Sequence, residues 1–148
     1  MKHSIRKRLL FTIILSFLYV SCTHAIDSTK SETTQLIKKA KLLLGKLNFD
    51  DAYVILKPLA DTGNIEANYQ LGSLYYSSSE NNKYHSYQSA QKAYLVAANT
   101  GHAYAQSGLG LVLSSEVAYE RDETTRSKAL QKACKWYEKA ALQELVLL

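Results

Sequence analysis

A chain of 148 residues that is 47% apolar and 21% charged has the length of one folded domain and enough apolar side chains to bury a core, which excludes an intrinsically disordered chain. One proline and six glycines exclude a turn-rich sandwich and point to an all-α fold. The formal charge of +5 suggests a polyanion-binding surface only until its position is considered: Lys2, Arg6, Lys7 and Arg8 supply most of it, about one positive charge remains without them, and no nucleic-acid partner is expected.

Those four cations precede an apolar run from Leu9 to Val20, and no acidic residue occurs before Asp27. This is the pattern of a secretory signal peptide over residues 1–22, because the run is too short for the roughly 20 residues of a membrane-spanning helix. Tyr19-Val20-Ser21-Cys22 resembles the lipobox of bacterial lipoproteins, with tyrosine where leucine is usual. The resemblance implies a lipid on the Cys22 thiol, outer-membrane sorting and a flexible polar linker over residues 23–34. The other reading is ordinary cleavage after Ala25, with Thr23 and Ala25 at the small-residue positions, leaving a periplasmic or secreted protein. Membrane contact is thus expected only through the lipid anchor. Cys134 then has no second cysteine to pair with and is expected as a small, partly buried filler inside a helix.

Residues 35–148 are expected to form one helical array. Leu36, Ala40, Leu43 and Leu44, followed by Gly45, predict a lone cap helix over 35–45. Three segments headed by Ala52, Ala90 and Ala133 then align without gaps at offsets of 38 and 43 residues. Repeat one (48–77) carries Ala52, Ile55, Leu56, Leu59 and Ala60 at helical spacing, a stop at Gly63, and a second helix marked by Ala67, Leu71, Gly72 and Leu74. Repeat two (86–114) matches it with Ala90, Ala93, Tyr94, Ala97, Ala98, Gly101, Ala105, Leu109, Gly110 and Val112. Small residues at Ala60, Ala67, Ala98 and Ala105 let paired helices approach closely. Residues 77–87 and 114–127 are polar and predict connecting loops. A partial repeat three (126–148) retains Ala133, Trp136, Ala140 and Ala141 but has Glu144 in place of the turn glycine. Its apolar tail, Leu142 and Leu145 to Leu148, has no intrachain partner in this scheme, so truncation, self-association or a partner helix is expected there.

Three stretches carry a family resemblance: AANTGHAYAQSGLG at 97–110, LADTG at 59–63 with NYQLGSLYY at 68–76, and WYEKAA at 136–141. They resemble the Sel-one-like repeat, a relative of the tetratricopeptide repeat. The resemblance implies a right-handed α-solenoid of antiparallel helix pairs whose surface grips other proteins. Some members of that family have been linked to penicillin binding, and Ser89-Ala90-Gln91-Lys92 has the S-x-x-K spacing of β-lactam-reactive serine enzymes. The companion S-D-N-like and K-T-G-like elements are absent, and Ala90 is a core position of the repeat.

The remaining chemistry is sparse. His3, His24, His85 and His102 are scattered, so no metal is expected, and His102 reads as a surface residue beside a turn. No phosphate-binding glycine loop or second catalytic group occurs, so neither a cofactor nor enzymatic activity is expected. Among 11 tyrosines, Tyr75, Tyr94 and Tyr137 occupy aligned core positions, whereas Tyr69, Tyr76, Tyr87 and Tyr104 stand off the core and form the candidate protein-binding face. The sequence thus reads as a non-enzymatic interaction scaffold of the bacterial envelope, with a cell-wall or β-lactam-active hydrolase as the alternative.

Overall fold

The computed structural model describes residues 29–146, apart from the side chains of Tyr119 and residues 144–146. Residues 1–22, with Cys22, and the last two leucines of the apolar tail lie outside the described residues. The chain divides into two compact units, Met1–Leu36 and Ile37–Leu148. In the first unit, residues 29–36 are helical, and the hydroxyls of Thr33 and Thr34 donate to the carbonyls of Thr29 and Lys30 one turn back, each at 2.9 Å. Residues 29–34, expected as flexible linker, therefore have helical backbone.

The second unit consists of α1 (residues 37–45), α2 (Phe49–Asp61), α3 (Ile65–Tyr76), α4 (Tyr87–Asn99), α5 (Ala103–Glu116), a 3₁₀ turn (Val117–Tyr119) and α6 (Glu123–Val146). No strand occurs among the described residues. From α2 onward, consecutive helices pack on one another, and α3 also touches α5. The apolar periodicity explains which faces meet. Ile37, Ala40, Phe49, Ala52, Leu56, Ala60, Ala67, Leu71, Leu74 and Ala93 form one buried cluster. Ala90, Tyr94, Ala97, Ala98, Ala105, Leu109, Val112, Leu113 and Ala133 form a second.

Every helix from α2 on starts at a residue that caps it. Asn48, Asn64, Ser86, His102 and Asp122 accept from the backbone N–H three residues later, which satisfies a donor the helix itself leaves free. Between α2 and α3, and again between α4 and α5, the residue before the cap is a glycine in the left-handed region, Gly63 at φ 83° and Gly101 at φ 90°. The same turn joins α1 to α2, but there Leu47 stands in the left-handed position at φ 57°. Its bonds match: Leu47 N–H to the Leu44 carbonyl, and Asn48 N–H to the Leu43 carbonyl, parallel Gly63 to Ala60 and Asn64 to Leu59. The helix ends at Gly45 as expected, but the left-handed residue that turns the chain is Leu47, two residues on, just before the cap at Asn48.

The glycines at aligned positions 72 and 110 have a different purpose. A Cβ on Gly72 would lie 2.5 Å from the Tyr94 ring, and one on Gly110 would lie 3.0 Å from the Tyr137 ring. Each second helix therefore offers a bare patch of backbone to the tyrosine of the next first helix. Gly108 supplies the other wall for Tyr94, at 2.8 Å. The Tyr94 hydroxyl is satisfied by Ser73 at 3.1 Å.

Both expected loops differ from simple solvated connections. Residues 77–86 fold around Asn82, whose buried amide donates to the carbonyls of Leu74 and Ser77, both at 2.7 Å, and whose oxygen accepts from the Tyr84 N–H. Tyr84 stacks on Tyr53 of α2 with ring centroids 4.2 Å apart, and Lys83 pairs with Asp50 at 2.8 Å. The segment 114–127 contracts to residues 120–122. Val117 is buried and holds the 3₁₀ turn against the stack, while Asp122 and Glu123, read as loop charges, begin α6, where negative charge suits a helix N-terminus.

Candidate functional site

The four tyrosines of the expected binding face fall into two pairs at opposite ends of α3. Tyr76 and Tyr87 meet with ring centroids 5.8 Å apart. Both are half-buried against the second core cluster, and the Tyr76 hydroxyl is bonded to Ser115 at 3.0 Å. That pair is largely occupied in holding α3, α4 and α5 together. Tyr69 and Tyr104 meet at 6.3 Å, seven residues and so about 10 Å back along α3. Tyr69 is half-buried, whereas Tyr104 is 66% exposed.

Tyr69 and Tyr104 line an open pocket of about 510 Å³ with Lys41, Glu66, Gln70 and His102. Three helices supply these side chains: α1, the first turns of α3, and the start of α5. Glu66 is the hub. Its Oε1 accepts from Gln70 at 2.8 Å and faces Lys41 at 3.6 Å, and its Oε2 meets Nε2 of His102 at 3.2 Å. Partial burial opposes ionisation of Glu66, but the hydrogen bonds from Gln70 and His102, with Lys41 nearby, outweigh it and hold the carboxyl below the usual carboxylate range. Partial burial and the Glu66 charge push the Tyr69 phenol up.

His102, expected as a surface residue, is a structural joint. It caps α5 through Nδ1, contacts Glu66 through Nε2, and lies against the Tyr69 ring with centroids 4.7 Å apart. Sequence spacing could not reveal this, since Glu66 lies 36 residues away. A signal was present nevertheless: His102 aligns with the cap residue Asn64 of the preceding repeat.

Cys134 corrects another expectation, because it is exposed and unpaired rather than partly buried. Its neighbour Ala133 takes the buried side of α6, which turns Cys134 about 100° away from the core. It lines a groove of about 450 Å³ along α6 with Ser127, Leu130 and Lys135. Leu142 on the same helix is 63% exposed.

Ser89 is half-buried on the first turn of α4, with its N–H given to the Ser86 hydroxyl, and Lys92 is exposed. No hydrogen bond joins the two among the described residues. Nor do three His, Cys, Asp or Glu side chains gather there as a metal site would require. No helix among them is long and apolar enough to cross a membrane. Every buried side-chain polar atom described has a hydrogen-bond partner. Comparison of the chain with protein-family models, with curated proteins and with solved structures gives no significant match.

Proposed function

We propose that this chain is a non-enzymatic protein-binding scaffold, a right-handed solenoid of Sel-one-like helix pairs exported to the bacterial envelope, which contacts its partner through the pocket around Tyr104. The observation that carries the reading is the exposure of Tyr104 over a backing of Tyr69 and His102, with Lys41 and Glu66 at the rim. An aromatic side chain with few rotatable bonds, backed by packed rings and bordered by both signs of charge, makes a good interface anchor. The solenoid reading draws support from the recurring contact of a second-helix glycine with the next first-helix tyrosine. The envelope placement rests on the leader pattern, with Cys22 as the lipid-bearing residue or Ala25 as the cleavage point.

The β-lactam reading gains nothing from the geometry. Ser89 has no base within hydrogen-bond reach among the described residues, and a nucleophilic serine needs one.

The test is affinity capture from detergent-solubilised envelope with the wild type, the double variant Tyr69→Ala/Tyr104→Ala, and Tyr76→Ala. A partner bound by the wild type and by Tyr76→Ala but lost by the double variant is the expected result. Equal capture by all three, with the double variant still helical by circular dichroism, would remove the pocket from the binding surface.

A further inference from the structure

The turn into α5 repeats the turn into α3 with one chemical exchange. At the 38-residue offset, Gly63 falls on Gly101, Asn64 on His102, Ala67 on Ala105 and Asn68 on Gln106. The side chains do the same work in both. Asn64 Oδ1 accepts from the Ala67 N–H at 2.9 Å, and His102 Nδ1 accepts from the Ala105 N–H at 3.1 Å. Asn68 donates to the Ala60 carbonyl at 3.0 Å, and Gln106 donates to the Ala98 carbonyl at 3.1 Å. The two caps differ in one property: an amide does not titrate near neutrality, and an imidazole does.

The cap fixes the tautomer. With the Nδ1 lone pair taken by Ala105, the single proton of a neutral ring sits on Nε2, which is the atom facing Glu66. One neutral imidazole thus caps α5 and donates to α3 at the same time.

We propose that His102 is a proton-operated clasp: neutral, it caps α5 while tied to Glu66; protonated, it gives up the cap, keeps Glu66, and releases the first turn of α5. A second proton can go only to Nδ1, where it points at another donor, the Ala105 N–H. The new positive charge also lies beside the positive end of the α5 dipole. On the other side, the Nε2–H to Glu66 contact becomes charge-assisted and stronger. The ring therefore exchanges partners: it loses the helix it started and holds the helix of the preceding repeat.

The neighbours leave this step to His102. Lys41 faces the site from α1, Glu66 and Tyr69 from α3, and Tyr104 from α5. From α6, Gln143 lies 3.6 Å from the position a Cβ on Gly101 would take, and it carries no charge. Glu66 is held below the usual carboxylate range and is ionised when imidazole takes its proton. Lysine and tyrosine side chains titrate above that window. Tyr104, in the first turn of α5 and with its ring centroid 6.2 Å from His102, is the exposed side chain that the release sets free. The device operates whatever the chain binds.

Amide hydrogen exchange of the full chain, followed by NMR from about pH 7.5 to about pH 5, tests the clasp. Ala67 and Ala105 are both fully buried and occupy aligned positions, so Ala67 is the internal control. The protection of Ala105 relative to Ala67 is expected to fall about tenfold or more on acidification in the wild type. In His102→Asn, which copies the α3 cap, the ratio should stay constant. A constant ratio in the wild type, an equal fall in His102→Asn, or a ring ¹⁵N spectrum placing the neutral proton on Nδ1 would each overturn the proposal.

Discussion

Among the described residues, Leu47 is the one that departs most from what local stereochemistry prefers. It holds the left-handed position that Gly63 and Gly101 hold in the two later turns, and a Cβ there crowds the backbone at a cost of about 1–2 kcal/mol. Because its side chain is half-exposed, little burial is lost on removing it. Leu47→Gly is therefore expected to stabilise the chain by up to about 1 kcal/mol, the strain relieved less the extra freedom of glycine in the unfolded state. Gly63→Ala should act in the opposite sense by about 1 kcal/mol, since open space surrounds Gly63 and only the backbone conformation opposes a side chain. Urea unfolding of both variants checks the pair, and the same sign for both would show that the turns are not equivalent.

At the scale of whole helices, small residues matter for the space they leave. Gly72 receives the Tyr94 ring, so Gly72→Ala forces the α3–α4 contact apart and is expected to cost about 1–3 kcal/mol. Gly45, at the end of α1, has nothing within 4 Å of its missing Cβ and an ordinary φ, so Gly45→Ala should be neutral or stabilising by up to about 1 kcal/mol. A thermal melt that ranks the two the other way would refute the packing argument.

How far the sequence reveals such contacts depends on how local they are. Helix positions from α2 to α5 follow from apolar periodicity, and the two glycine stops follow from turn stereochemistry, because both are set within a few residues. The fold of 77–86 was hidden, since the carbonyls that Asn82 satisfies lie at the end of α3 and nothing in a polar stretch marks which amide will reach them. The left-handed turn at Leu47 was hidden for a related reason: glycine at 45 marks the helix end, yet the cap at Asn48 decides where the chain turns. The pocket was half legible. Tyr69 and Tyr104 were identifiable as residues off the core, but Glu66, Lys41 and His102 join them only once α1, α3 and α5 are packed.

Taken as a folding unit, the described residues from 37 on have two apolar clusters, and tyrosines link them. Tyr75 packs against both clusters, and Tyr94 is buried in the second while Ala93 beside it belongs to the first. Burial pushes the Tyr94 phenol up to about 12, with the Ser73 hydrogen bond opposing it in part. Burial, together with the contact to Tyr53, pushes Tyr75 up to about 12 as well. An unfolded tyrosine titrates near 10, so between about pH 10 and about pH 12 the unfolded chain releases protons that the folded chain keeps. Folded pKa values raised in this way give a contribution that is complete below about pH 10 and disappears as pH rises toward about 12. For Tyr94 alone the loss is roughly 2–3 kcal/mol across that interval. Tyr94→Phe keeps the ring between Gly72 and Gly108 and removes the ionisable oxygen. It should lower stability at neutral pH by about 1 kcal/mol through the lost Ser73 bond, and it should flatten the alkaline decline. Urea unfolding at intervals from pH 8 upward measures both effects. An alkaline slope in Tyr94→Phe as steep as in the wild type would mean that the buried phenol is not what limits the fold at high pH.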